Sequence, residues 1–208
     1  MPPSRSGKPT PKMIRLYHQL TVHLFGEPED LWVYDPANLA NPSPLLRLTH
    51  VAAWPADKEC DVTGFNTLGM SRRKMKGADY YTELHMAIRR RLTRPQRERV
   101  ARFLANVAQY PFDHNRCLDW WHVLNNPGEV PFFPHCPHLL FHPRLTPQGH
   151  DQIDDPQGLV KLLFVVPITP LEHHLLTAHG PASFREHVTE NRIDLLRDRR
   201  DPKARRRK

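Results

Sequence analysis

The chain of 208 residues lacks the long apolar runs and paired cysteines that define several large classes of protein. No stretch approaches the roughly 20 apolar residues that a membrane-spanning helix needs, so we expect no membrane span. Three cysteines without regular spacing give no disulfide framework, and no apolar run follows the basic N-terminus as it would in a signal peptide. These absences predict a cytoplasmic protein in a reducing compartment.

The short motifs of common enzymes are also missing. The sequence has no Gly-x-Ser-x-Gly, no His-Glu-x-x-His, no phosphate-binding loop and no dinucleotide-binding glycine fingerprint. We therefore predict a protein that is not an enzyme and that holds no cofactor.

Positive charge is concentrated at the two ends of the chain. The formal net charge is +8, but residues 1–15 carry +4 and residues 197–208 carry +6, which leaves −2 for residues 16–196. Charged, proline-containing ends cannot bury apolar surface, so we expect basic disordered tails at 1–11 and 197–208 around one domain over 12–196. The near-neutral body argues against nucleic-acid binding, although nucleic-acid association through the tails stays an open alternative.

The stretch 61–92 contains two strand-like runs around a loop that carries four cations and Gly77. The first run ends in Thr67-Leu68-Gly69-Met70-Ser71. The second, over 80–88, alternates with the period of two that is typical of a half-buried strand. We predict a β-hairpin whose second strand directs three side chains into the core. These three are Leu84, Met86 and Ile88.

Helical spacing and capping signals predict helices over 11–24, from Thr93 to Pro111, from Thr169 to about Gly180, and over about 181–196. Apolar runs predict strands at 45–54, at 117–124 and at 159–168, the last covered on both faces. The polar segment 145–158 is predicted to be a surface loop. The arginines of the second helix are predicted to lie on its solvated face. They are Arg97, Arg99 and Arg102.

Several of these segments resemble the suppressor of fused domain family. Besides the run that ends at Ser71 and the pair Glu83-Leu84, three further motifs occur in the order of the family. They are Tyr110-Pro111 after a helix, Pro127-Gly128 before an apolar strand, and Val166-Pro-Ile-Thr169 followed by Glu172 and Gly180. The resemblance covers about residues 24–188 and is to the N-terminal domain of the animal protein.

The resemblance implies an α+β fold, with a mixed, mainly antiparallel β-sheet and helices packed on its faces. It also implies a protein-binding module. The animal member sequesters a transcription factor by enclosing an added β-strand of its partner, and bacterial members resemble immunity proteins that neutralise toxin domains. We therefore expect a protein partner, such as a toxin domain, and the sequence does not specify the oligomeric state.

Two adjacent tryptophans stand out within the predicted strand 117–124, in the run Asp119-Trp120-Trp121-His122. Adjacent side chains on a strand point to opposite faces, so one tryptophan would lie in the core and the other would meet a helix, solvent or a partner. An exposed tryptophan beside Asp119 and His122 would be an interface anchor. These four residues are the predicted partner-binding site, and core packing of both tryptophans is the alternative.

Cysteine and histidine residues leave an enzymatic alternative open. Cys117 has His114 nearby in sequence, and a Cys–His pair could form the nucleophile of a small hydrolase. Glu83 could act as a catalytic acid, but a lone carboxylate on a strand face is expected to hold a neighbour's backbone instead.

A histidine-rich segment provides zinc-competent donors at His135, Cys136, His138 and His142. If residues 138–142 form a strand, its two terminal histidines share a face about 13 Å apart and cannot ligate one ion. We therefore predict no metal site.

Overall fold

The computed structural model describes residues 11–20, 26–35, 49–58, 60–144 and 151–197. Its helices are α1 (Pro11–Gln19), α2 (Arg94–Asp113) and α3 (Pro170–Glu190). Its strands are β1 (Asp30–Tyr34), β2 (Thr49–Trp54), β3 (Thr63–Leu68), β4 (Tyr81–Ile88), β5 (Val123–Asn125), β6 (His138–His142), β7 (Gln152–Ile153) and β8 (Val160–Ile168). The predicted helix end at 21–24 and strand start at 45–48 lie outside the described residues.

All of these strands form one sheet, in the order β1-β2-β3-β4-β8-β6-β5, with β7 paired to β8. Neighbouring strands are antiparallel except β4 and β8, which are parallel. A parallel pair needs a crossover, and the chain makes it through α2, β5 and β6. The predicted α+β fold, with a mixed and mainly antiparallel sheet, is confirmed.

Helices cover both faces of the sheet. On one face, α2 packs against the central strands, and this core includes Val51, Phe65, Leu84, Met86 and Leu104. On the other face, α1 and α3 form a second core, which includes Met13, Leu16, Leu140, Leu176 and Phe184. The strand over 80–88 is therefore not half-buried, as its alternation predicted, because every residue from Thr82 to Ile88 is buried.

Helix α2 begins as predicted but differs from expectation in two ways. The backbone N–H of Thr93 donates to Gln96 Oε1 at 2.9 Å, so the capping interaction is present. Pro111 does not end the helix, because a proline in the last turn removes a single hydrogen bond and its ring is buried. Arg97 is not solvated: its guanidinium is buried and its Nε donates to Asp30 at 2.7 Å, which ties α2 to β1.

The predicted strand at 117–124 is wrong over most of its length. Only β5 pairs, with β6, and residues 117–122 contain a turn in which His122 N donates to Asp119 O at 3.2 Å. Trp121 has φ +69°, a conformation that a strand does not contain. Its backbone N–H donates to Phe141 O at 2.6 Å, and the N–H of Phe141 donates to His122 O at 3.0 Å. The kinked turn is therefore held to β6 by these two backbone hydrogen bonds.

The C-terminal region follows the prediction in outline. A break at Gly180, with φ +83°, divides α3 into two helical segments as expected. The second segment ends at Glu190 and not near residue 196, because the chain there enters turns that pack beside β4, where Arg89 N donates to Leu196 O at 2.7 Å. The predicted loop 145–158 contains the short strand β7, and its residues 145–150 lie outside the described part.

Truncation of a central core side chain tests this architecture. Leu84→Ala should lower the free energy of unfolding by about 2–5 kcal/mol, because Leu84 is fully buried between β3, β8 and α2. Arg91→Ala, at an exposed position just beyond β4, should change it by less than about 0.5 kcal/mol. Urea denaturation monitored by circular dichroism measures both. Equal effects of the two substitutions would contradict the placement of β4.

Candidate functional site

The carboxylate of Glu83, on the face of β4 toward α1, is fully buried. Its Oε1 accepts hydrogen bonds from Gly69 N at 2.9 Å, from Ser71 N at 3.0 Å and from Ser71 Oγ at 2.6 Å, and its Oε2 accepts one from Thr67 Oγ1 at 2.6 Å. Burial raises the pKa of Glu83 above its usual value, and these hydrogen bonds offset part of the rise. Glu83 thus holds the backbone where β3 ends, as expected, and no catalytic acid faces solvent here.

The segment that follows this corner is a loop with four cations. We name residues 72–77 the basic loop, which contains Arg72, Arg73, Lys74 and Lys76. Its Met75 side chain is 3% exposed and belongs to the core under α2, and Gly77 closes it with φ +80°. The basic loop therefore begins at the corner held by Glu83 and is anchored in its middle by Met75.

The second surface feature is the turn at residues 117–122, which we name the tryptophan turn. Leu118 N donates to Met75 Sδ at 3.3 Å, and Tyr80 Oη donates to Leu118 O at 3.0 Å. Met75 lies within the basic loop and Tyr80 directly precedes β4. The tryptophan turn is therefore held by the same segment that carries the basic loop.

Trp120 packs against the core under α2 and is half-buried. Lys161 Nζ lies 4.6 Å from the Trp120 ring centroid and 3.8 Å from the Tyr80 ring centroid, and it donates to Asp119 Oδ1 at 2.9 Å. Partial burial acts to raise the pKa of Asp119, but the hydrogen bonds from Lys161 and from Trp120 N outweigh it and hold the pKa below its usual range. The ammonium group of Lys161 thus fixes the Trp120 ring and the neighbouring carboxylate of Asp119.

Trp121 packs against the opposite core, under α3. Its ring centroid lies 4.6 Å from that of His142 and 6.4 Å from that of Phe184, and the Arg185 guanidinium lies over it at 5.5 Å. Burial lowers the pKa of His142 to about 4. His122 is exposed, and its Nδ1 accepts a hydrogen bond from Asp119 N at 3.1 Å. The two tryptophans do meet opposite faces, but through the kinked turn and not through a strand pleat.

The thiol of Cys117 is half-buried, and its described hydrogen-bond partners are the Tyr80 hydroxyl at 3.3 Å and Leu118 O at 3.6 Å. His114 instead stacks on Tyr110 at the end of α2, with ring centroids 4.4 Å apart. His114 is therefore not among the described partners of the Cys117 thiol, although the His122 Nδ1 lies 3.3 Å from Cys117 O.

The four zinc-competent residues point to different environments. His135 is exposed, Cys136 is buried in the core under α2, His138 stacks on His173 of α3 at 4.2 Å, and His142 contacts Trp121. Within the described ranges, no group of three or more histidine, cysteine or acidic residues lies close enough to hold a metal ion.

The edge strand β1 is an exposed feature that the sequence analysis did not single out. It pairs only with β2 among the described strands, and Leu31 and Val33 are 49% and 47% exposed. The alternate residues Trp32 and Tyr34 face the core, so the alternation in this run was the available signal. This edge lies at the opposite end of the sheet from β5 and the tryptophan turn.

These features define an α+β domain whose mixed sheet is covered on both faces. The family model of the suppressor of fused protein (SUFU) matches residues 46–201, so the chain belongs to the suppressor of fused family. The predicted family is confirmed. None of the helices that the structure describes has the length and apolar character to cross a membrane.

Two solved structures are similar in fold. One is a SUFU homolog from Neisseria gonorrhoeae, with a TM-score of 0.64, 17% sequence identity, and coverage of 91% of this chain and 93% of that chain. The other is described as the Sufu–Fu complex, with a TM-score of 0.58, 15% identity, and coverage of 90% of this chain and 86% of that chain. No curated protein matches this chain.

Removal of the buried carboxylate tests its role at the corner. Glu83→Ala removes the acceptor of four buried hydrogen bonds, and each donor left unsatisfied costs about 1–3 kcal/mol, so the loss of unfolding free energy should be on the order of 3 kcal/mol or more. The control Glu129→Ala removes an exposed carboxylate paired with Arg99 and should cost less than about 1 kcal/mol. Denaturant titration distinguishes them, and a small loss for Glu83→Ala would contradict the anchoring role.

Proposed function

We propose that this domain is a non-enzymatic module that binds a protein partner. Membership of the suppressor of fused family over residues 46–201 carries the proposal. A similar fold occurs in a structure described as a Sufu–Fu complex, in which a member is seen with another protein. The separate environments of Cys117 and His114 add support, because the Cys117 thiol contacts the Tyr80 hydroxyl while His114 stacks on Tyr110.

The tryptophan turn is the proposed contact surface. Asp119, Trp120, Trp121 and His122 lie together at the edge of the sheet beside β5. Half-buried aromatic side chains that are fixed by packing and by an ion pair lose little entropy when a partner covers them, which is typical of interface anchors. A specific interface would bury about 1,200–2,000 Å² and extend beyond the turn.

The partner is proposed to be a toxin domain that this protein neutralises by covering it. The support is the family resemblance, because bacterial members of the family resemble immunity proteins that neutralise toxin domains. Neutralisation by binding needs no chemistry from the protein, which agrees with the absence of enzyme motifs in the sequence. Nucleic-acid association through the basic ends is the alternative function, and most of both ends lies outside the described residues.

The anchor role of the tryptophans predicts a selective loss of binding. Trp120→Ala or Trp121→Ala should weaken the complex with the protein recovered by pull-down from the native host by about 2 kcal/mol or more, because each removes a packed aromatic surface from the interface. Isothermal titration calorimetry measures this at a temperature where circular dichroism shows each variant to be folded.

Trp32→Ala is the matched control, because Trp32 is also a half-buried tryptophan packed on the core under α2, but it lies in β1. Trp32→Ala should lower the stability of the protein without lowering its affinity for the partner. Cells that produce the toxin partner should survive with this control variant and not with the variants of the tryptophan turn. Equal affinities for all three variants would remove the tryptophan turn from the interface. Failure to recover any dominant protein partner would contradict the binding function itself.

A further inference from the structure

The basic loop is a concentration of positive charge without matching negative charge. Arg73, Lys74 and Lys76 are exposed and Arg72 is half-buried. In the described part of the chain, none of these four side chains forms an ion pair with a carboxylate. The arginines at the other end of the hairpin differ, since Arg89, for example, pairs with Asp61 and Asp194 at 2.6 Å. Lys74 Nζ donates to the backbone oxygen of Asp79 at 2.5 Å, but no carboxylate among the described residues forms an ion pair with the four cations.

The backbone that carries these charges is fixed. Glu83 holds Gly69 and Ser71 immediately before the loop, and Met75 buries its side chain in the core in the middle of it. The turn is closed by a hydrogen bond from Ala78 N to Met75 O at 3.2 Å. A solvated loop needs no such support. A loop that binds a partner benefits from it, because an ordered backbone loses less conformational entropy on association.

The basic loop also adjoins the proposed contact surface. Met75 and Tyr80, which are both buried, contact Leu118, so the loop and the tryptophan turn are neighbours in the fold. A partner that covers the turn therefore meets the cations of the loop at the rim of the interface. Charges in a rim determine which partners are accepted and how fast they associate.

The surroundings of the loop favour a protein over a nucleic acid. Nucleic-acid surfaces combine cations with aromatic rings on which bases stack. The aromatic ring beside this loop, Tyr81, is covered by the Lys12 ammonium at 3.0 Å from its centroid and has Lys74 at 5.3 Å.

We propose that the basic loop, at Arg73, Lys74 and Lys76, binds an acidic segment of the protein partner. This inference rests on the proposed function and specifies its partner: the face that covers the tryptophan turn carries glutamate and aspartate side chains beside its apolar contacts.

The test uses a defined probe, so that it does not depend on finding the natural partner. A peptide of ten glutamates is titrated into the full-length protein labelled with nitrogen-15, at 50 mM and at 200 mM salt. The amide signals of residues 72–77 should shift, and the dissociation constant should rise with salt, because the charges are exposed and screened. The triple variant R73Q/K74Q/K76Q should raise the dissociation constant about tenfold, as expected for the loss of three exposed charge contacts.

The control R205Q/R206Q/R207Q removes the same charge from the C-terminal end of the chain. It should leave the shifts of residues 72–77 and their dissociation constant nearly unchanged. An equal weakening by both triple variants would reduce the effect to net charge and overturn the proposal. Shifts that avoid the loop, or a 20-base-pair DNA duplex that binds the loop more tightly than the peptide, would also overturn it. The pull-down of a partner is a separate result, so either proposal can fail alone.

Discussion

One buried carboxylate determines where the central hairpin turns. A buried polar group is tolerated only when hydrogen-bonding partners replace the water it has lost, and the Glu83 carboxyl group accepts from four donors, all from residues 67–71. These donors belong to the end of β3 and to the short 3₁₀ turn at Met70–Arg72. The interaction therefore couples β4, in the middle of the sheet, to the loop at its margin. The position of the basic loop depends on this coupling together with the burial of Met75 within the loop.

The tryptophan turn depends on the same region from the other side. Its backbone is held by Met75 and Tyr80, and its two aromatic side chains extend into the two cores on opposite faces of the sheet. This is possible because the chain kinks at Trp121 and forms hydrogen bonds with Phe141 of β6 before β5 begins. A turn that is packed on both faces is a rigid platform. The proposed interface therefore combines fixed aromatic surface with fixed positive charge.

Local chemistry accounts for the elements that the sequence predicted correctly. The capping box at Thr169 and the apolar run of β8 are complete within a few residues, so both could be read directly. The turn at Trp121 could not, because its conformation follows from pairing with Phe141, and the burial of Arg97 follows from Asp30, 67 residues away. The order of motifs identified the family. The partner-contact residues stay a prediction, since a second molecule defines them.

The central claim is that this domain binds a protein through the tryptophan turn and the basic loop. Hydrogen–deuterium exchange of the free domain and of its complex with the protein recovered from the native host tests this most directly. The account predicts slower exchange at residues 72–77 and 117–122 in the complex, with little change at Asp30–Tyr34 on the far edge of the sheet. Protection confined to that far edge, with the loop and the turn unchanged, would contradict it.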